Sequence, residues 1–114
     1  MARKNQLKKK LIAANRVFGG YPNPTGNLDF EADMASTSKR PFRKAAHLTR
    51  AMTSGHAFLD GNKRTAIVAT TSELSSAGFK ADKKKLVRAM IDLSKTAEGD
   101  LNKIERKLRR CTRK

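Results

Sequence analysis

The sequence holds a single cysteine, Cys111, so neither an internal disulfide nor a cysteine-built zinc site is open to it. It has no tryptophan, one tyrosine and five phenylalanines, too few and too scattered for the aromatic platform that single-stranded nucleic acid requires. No apolar run approaches the roughly 18 residues of a membrane span. The basic N-terminus leads into no secretory hydrophobic segment, so a reducing cytoplasm is the expected location. Acidic side chains are also scarce, with ten Asp and Glu against 26 Lys and Arg and a formal net charge of +16. What remains for a core is Leu, Ile, Val, Ala, Met and the phenylalanines. A chain of 114 residues makes one domain, residues 1–114. A domain of that size buries roughly two-thirds of its unfolded surface.

So large a positive charge favours contact with polyanions of some kind. Much of it lies at the two ends, in Arg3, Lys4, Lys8, Lys9 and Lys10, then in Lys103, Arg106, Lys107, Arg109, Arg110, Arg113 and Lys114. The plain reading is a solvated basic face on two terminal helices, touching nucleic acid only weakly and non-specifically. The functional reading is an electrostatic funnel for an anionic partner.

Apolar periodicity predicts an all-α fold, a compact bundle of about six helices. Leu7, Leu11, Ala14 and Phe18 recur at helical spacing over residues 4–18, and Gly19-Gly20 stops the run. Residues 21–26, Tyr-Pro-Asn-Pro-Thr-Gly, are turn chemistry throughout. A short helix follows near Leu28 to Ala35. Pro41 suits a first helical position ahead of Phe42, Ala45, Ala46, Thr49 and Met52. From Gly61 to Ala77 the first turns read as apolar nearly all round, which predicts a helix in the middle of the bundle, ended by Gly78. Asp82 and Asp100 are placed to cap two further helices. Leu86, Val87, Met90, Ile91 and Ala97 form the expected buried stripe of the first; Leu101, Ile104, Leu108 and Cys111 form that of the second.

The stretch from Gly55 to Ala66 carries the chemistry. Within a tight helix–loop–helix connection it offers His56, Asp60, Gly61, Asn62, Lys63 and Arg64. A helix starting near Gly61 or Asn62 presents unpaired N–H groups and the positive end of its dipole, which suits phosphate. Lys63 adds a point charge, and Arg64 can fork onto two phosphate oxygens. Asp60 is an oxygen donor able to hold Mg²⁺ that bridges phosphates. His56 can accept a proton from an incoming hydroxyl. Each element alone is ordinary, since His56 could be a surface side chain and Asp60-Gly61 a simple turn. A P-loop is excluded by its glycine spacing and by Asn62, which stands where lysine would follow.

His-x-Phe-x-Asp-Gly-Asn-Lys-Arg-Thr-Ala, from His56 to Ala66, resembles the signature of the Fic/Doc (Fido) family. Residues 44–48 resemble the helix leading into that family's loop, and residues 19–22 resemble its early Gly-Gly turn. The Lys63-Arg64 pair is similar to the death-on-curing (Doc) subtype. The resemblance implies an ATP-dependent protein-modifying transferase: a Doc-like kinase that phosphorylates a Ser/Thr hydroxyl on elongation factor Tu or its counterpart. By the same resemblance it would be the toxin of a toxin–antitoxin pair, restrained by a separate antitoxin. His56 would be the general base, Asp60 the Mg²⁺ ligand, and Gly61, Asn62, Lys63 and Arg64 the nucleotide phosphate clamp. AMP transfer of the Fic type is the enzymatic alternative, although Ile67 stands where those relatives carry a second arginine. A non-catalytic, basic nucleic-acid-binding protein is the alternative from another class. Ser94-x-x-x-Glu98-Gly99 also fits the inhibitory pattern of some Fic proteins. His47 is read as a packing or surface residue, and Cys111 as an inert thiol.

Overall fold

The computed structural model describes residues 2–24 and 26–113, with side chains from Gln6 onward. Thr25 of the expected turn and Lys114 of the basic end lie outside the described residues, as do the side chains of Arg3 and Lys4. The described chain is all-α, with helices α1 (Ala2–Val17), α2 (Leu28–Thr37), α3 (Pro41–Thr53), α4 (Asn62–Ser76), α5 (Lys83–Thr96) and α6 (Leu101–Arg110). Pro41 takes the first turn of α3. The Asp82 carboxylate accepts the Lys85 N–H at 3.1 Å. That of Asp100 accepts the Asn102 and Lys103 N–H groups at 2.8 and 3.2 Å. Each such cap is worth about 1 kcal/mol.

Periodicity does not anticipate a short antiparallel pair, β1 (Lys80–Ala81) with β2 (Thr112–Arg113), in which Lys80 faces Arg113 and Ala81 faces Thr112. Two residues are too few to show alternation. The Asp82 N–H donates to the Cys111 carbonyl at 2.7 Å, so the pair ties the start of α5 to the end of α6.

The helix at the centre is α3, and not α4 as the apolar run from Gly61 suggests. Nine of the 13 residues of α3 are buried, from Phe42 to Thr53. Its alanines, Ala45, Ala46 and Ala51, are small enough for α2, α4 and α6 to pack around it. Helix α4 buries only Thr65, Ala66, Thr70 and Leu74 and leaves Val68 exposed. Likewise Ile91 and Ala97 face outward, and the buried stripe of α5 is Leu86, Ala89, Met90 and Leu93. Phe18 falls beyond the end of α1, half-buried, outside the core.

Two glutamates are buried, and each is matched by cations. Glu31 on α2 meets His47 Nδ1 at 2.9 Å and Arg50 Nε at 2.6 Å, both on α3. Arg50 Nη1 reaches on to the Gly99 carbonyl at 3.3 Å. Glu105 on α6 has Arg43 Nε 2.6 Å from its Oε2, off axis for a hydrogen bond, and Arg40 Nη2 3.4 Å from its Oε1. His47 is therefore a buried polar partner of Glu31 that ties α2 to α3. Among the described residues no helix is long and apolar enough to cross a membrane.

Candidate active site

The loop between α3 and α4 is held from three directions. The Ala57 N–H donates to the Ala51 carbonyl at 2.9 Å, which folds the loop back onto α3. The turn after α1 pairs with it like a strand: Asn23 N–H to the Ala57 carbonyl at 2.9 Å, Leu59 N–H to the Tyr21 carbonyl at 3.0 Å, and a bridge between Pro22 and Phe58. Phe58 is buried and anchors the loop in the core. Asn23 Nδ2 donates to the His56 carbonyl at 3.0 Å. Bound on both sides, His56 sits at φ +47°, a left-handed conformation that a non-glycine residue adopts only where its surroundings impose it. Its side chain is exposed.

Asn62 and Asn15 complete the frame. Asn62 grips Phe58 through both ends of its amide: Oδ1 accepts the Phe58 N–H at 3.1 Å and Nδ2 donates to the Phe58 carbonyl at 2.7 Å. Asn15, fully buried on α1, donates through Nδ2 to the Asp60 carbonyl at 2.7 Å and to Thr65 Oγ1 at 3.1 Å. The signal for Asn15 in the sequence is a polar residue in the register of Leu7 and Leu11, where an apolar one is expected. Gly20 must be a glycine because a Cβ there would overlap Asn15 Oδ1 and the Asp60 carbonyl.

Gly61, in the left-handed region at φ +73°, is the N-cap of α4, and no side chain caps the helix. The main-chain N–H groups of the first turn, Asn62 to Arg64, are thus left for a ligand. Asp60 Oδ1 accepts the Gly61 N–H at 2.7 Å, which orients the carboxylate and leaves its other oxygen available. These residues line one cleft of about 550 Å³, where His56, Asp60, Gly61, Asn62, Lys63 and Arg64 converge. Every site residue expected from the sequence is therefore in one place.

Phe18, Met52, Thr53 and Leu59, which the sequence did not single out for the site, complete its walls together with Ser94 of the expected inhibitory pattern. Arg64 lies with its guanidinium carbon 6.0 Å from the centre of the Phe18 ring, a cation–π contact that aims it across the cleft. Ser94 reaches the cleft from α5, whereas Glu98 uses its Oε2 to accept the Asp100 N–H at 3.2 Å and closes the α5–α6 turn. Ile67 packs against the core, and among the described residues the Lys and Arg side chains that line the cleft are Lys63 and Arg64.

No three His, Cys, Asp or Glu side chains cluster to hold a metal by themselves among the described residues. One exposed carboxylate, Asp60, beside the uncapped start of α4 fits Mg²⁺ in its usual mode, shared between a carboxylate and substrate phosphates. Neither curated proteins nor solved structures yield a match to this chain. The family model described as Fic/DOC family matches residues 3–74, well over half of the sequence and the whole of the loop between α3 and α4. The chain belongs to the Fic/DOC family.

Proposed function

We propose that, within the ATP-dependent protein modification of its family, this chain transfers the γ-phosphoryl group of ATP to a Ser/Thr hydroxyl of a translation factor. Elongation factor Tu is the first acceptor to test. The observation that carries the reading is the charge distribution of the cleft. Lys63 and Arg64 concentrate cationic side chains at the start of α4, and Ile67, turned into the core, offers no distal clamp for a second phosphate position. The terminal phosphate is then the group held beside His56.

His56 accepts the proton of the attacking hydroxyl as a new O–P bond forms; the bond from the γ-phosphorus to the β–γ bridging oxygen breaks, and ADP departs. The N–H groups of Asn62 to Arg64, with the side chains of Lys63 and Arg64, neutralise the phosphoryl oxygens. The Asn62 side chain keeps the loop in shape, so its contribution to the clamp is its main-chain N–H. Asp60 would hold Mg²⁺, which supplies further charge neutralisation to the phosphates when bound. A transferase aimed at translation is a growth-arresting toxin, restrained by a separate antitoxin protein.

The test is transfer from ATP labelled at the γ- or the α-phosphate to a panel containing elongation factor Tu and total cell protein. Label should move from the γ-position only, require Mg²⁺, and fall with Lys63→Gly. Protein labelling from the α-position alone would establish AMP transfer instead.

A further inference from the structure

Among the described residues two that are not glycine have a left-handed backbone, Ala97 at φ +49° and His56 at φ +47°. Ala97 is the residue that ends α5, a usual place for that conformation. His56 lies inside the loop, two residues past the C-cap of α3, so no helix end accounts for it. The turn over residues 23–26 does. It closes with the Gly26 N–H donating to the Asn23 carbonyl at 3.0 Å, and Pro24 suits its second position. From this turn Asn23 grips two successive carbonyls: its Nδ2 donates to that of His56 at 3.0 Å, and its main-chain N–H to that of Ala57 at 2.9 Å. Gly26 presses on the same place, since a Cβ there would stand 2.5 Å from the His56 oxygen. Neither Asn23 nor Gly26 lines the cleft, whereas His56 does.

We propose that Asn23 is a positioning residue for His56. Its amide, with Gly26 packed beside it, fixes the His56 carbonyl and so holds the backbone in the left-handed region from which the imidazole meets the cleft. A side chain stays in that region only while its surroundings over-determine it. Once the amide is gone, φ relaxes towards the ordinary negative range. The Cα–Cβ bond then swings relative to the preceding peptide and carries the imidazole with it. The effect is selective, because the nucleotide is held elsewhere, at the start of α4 and by Lys63 and Arg64. Asn23 therefore governs turnover and not the affinity for ATP. Its part in transfer rests on the proposed reading of His56 as the base; its hold on the His56 backbone does not.

The experiment uses the full chain and two variants. Asn23→Asp keeps the shape but sets a carboxylate against the His56 carbonyl, and Asn23→Ala only removes the donor. Nuclear magnetic resonance reads the His56 backbone from its Cα shift and its HN–Hα coupling; the parent should report a left-handed residue and both variants should leave that region. Calorimetry with Mg²⁺ and ATP should give affinities within about twofold of the parent. Turnover at saturating ATP, read as label transfer to total cell protein, should fall at least about tenfold with KM for ATP unchanged, since small misplacements of a reacting group cost that much or more. The melting midpoint should drop by no more than about 5 °C, as for one exposed hydrogen bond. A left-handed His56 in both variants would overturn the proposal. So would a loss of ATP affinity that matches the loss of turnover, because that marks general damage to the cleft. A parent that labels no protein would refute the proposed reaction alone, and the resonance arm would then decide by itself whether Asn23 positions His56.

Discussion

Asn15→Ala removes a side chain wholly buried between α1 and the loop that joins α3 to α4. Two hydrogen bonds disappear, at 2.7 Å to the Asp60 carbonyl and 3.1 Å to Thr65 Oγ1. A lost bond costs about 1 kcal/mol net, and a buried group left unpaired costs about 1–3 kcal/mol. Relief works in the opposite direction, because Asn15 Oδ1 is buried without a hydrogen-bond partner in the folded protein. The balance is a destabilisation of about 2–3 kcal/mol, which in a domain of this size lowers the melting midpoint by roughly 8–15 °C. Asn15→Asp keeps the shape and should be worse. It loses the donor, sets a carboxylate against the Asp60 carbonyl and buries an uncompensated charge, for which penalties run to about 3–5 kcal/mol. Thermal unfolding followed by circular dichroism ranks the three proteins. The transfer assay, run where each is folded, should show activity falling further than the loss of folded protein explains, since the Asp60 segment is released. An Asn15→Asp protein as stable as Asn15→Ala, or an alanine variant within about 0.5 kcal/mol of the parent, would refute the role given to this amide.

Other perturbations read separate parts of the molecule. His56→Ala should abolish label transfer and leave the melting midpoint nearly unchanged, because the side chain is exposed. Glu31→Ala strands His47 and Arg50 beside an emptied buried site and should cost about 3 kcal/mol in chemical denaturation, whereas Asp92→Ala, which breaks an exposed pair with Lys107, should cost less than about 1 kcal/mol. Burial pushes the Cys111 thiol above its ordinary range, with Lys85 and Lys107 opposing and Asp82 reinforcing the shift. The folded state therefore holds that proton longer than the unfolded chain does. The stabilisation is complete below the unfolded thiol's pKa and declines as pH rises through that value towards the folded one. Cys111→Ala should flatten the alkaline limb of the stability curve, and the native thiol should react slowly with a maleimide at neutral pH.

Much of this protein is local and therefore legible along the chain. Helix positions follow from apolar spacing, and their ends from Pro41, Gly78, Asp82 and Asp100, because caps and periodicity act within a few residues. The candidate site is equally local: His56 to Arg64 span nine consecutive positions, so their types and spacing point to one cleft before any fold is known. Contacts between distant segments were decided elsewhere. Nothing in the run from Gly61 says that α4 lies on the flank and α3 at the centre, since both are rich in small and apolar residues and only packing distinguishes them. Glu31 with His47 and Arg50, and Asn15 with Asp60, join residues up to 45 positions apart, where neither partner signals the other. The β1–β2 pair arises in the same way. Lys80 and Lys85 become neighbours of Arg110 and Arg113 only when two two-residue strands pair, and pairing of that length is set by where α5 and α6 have already packed.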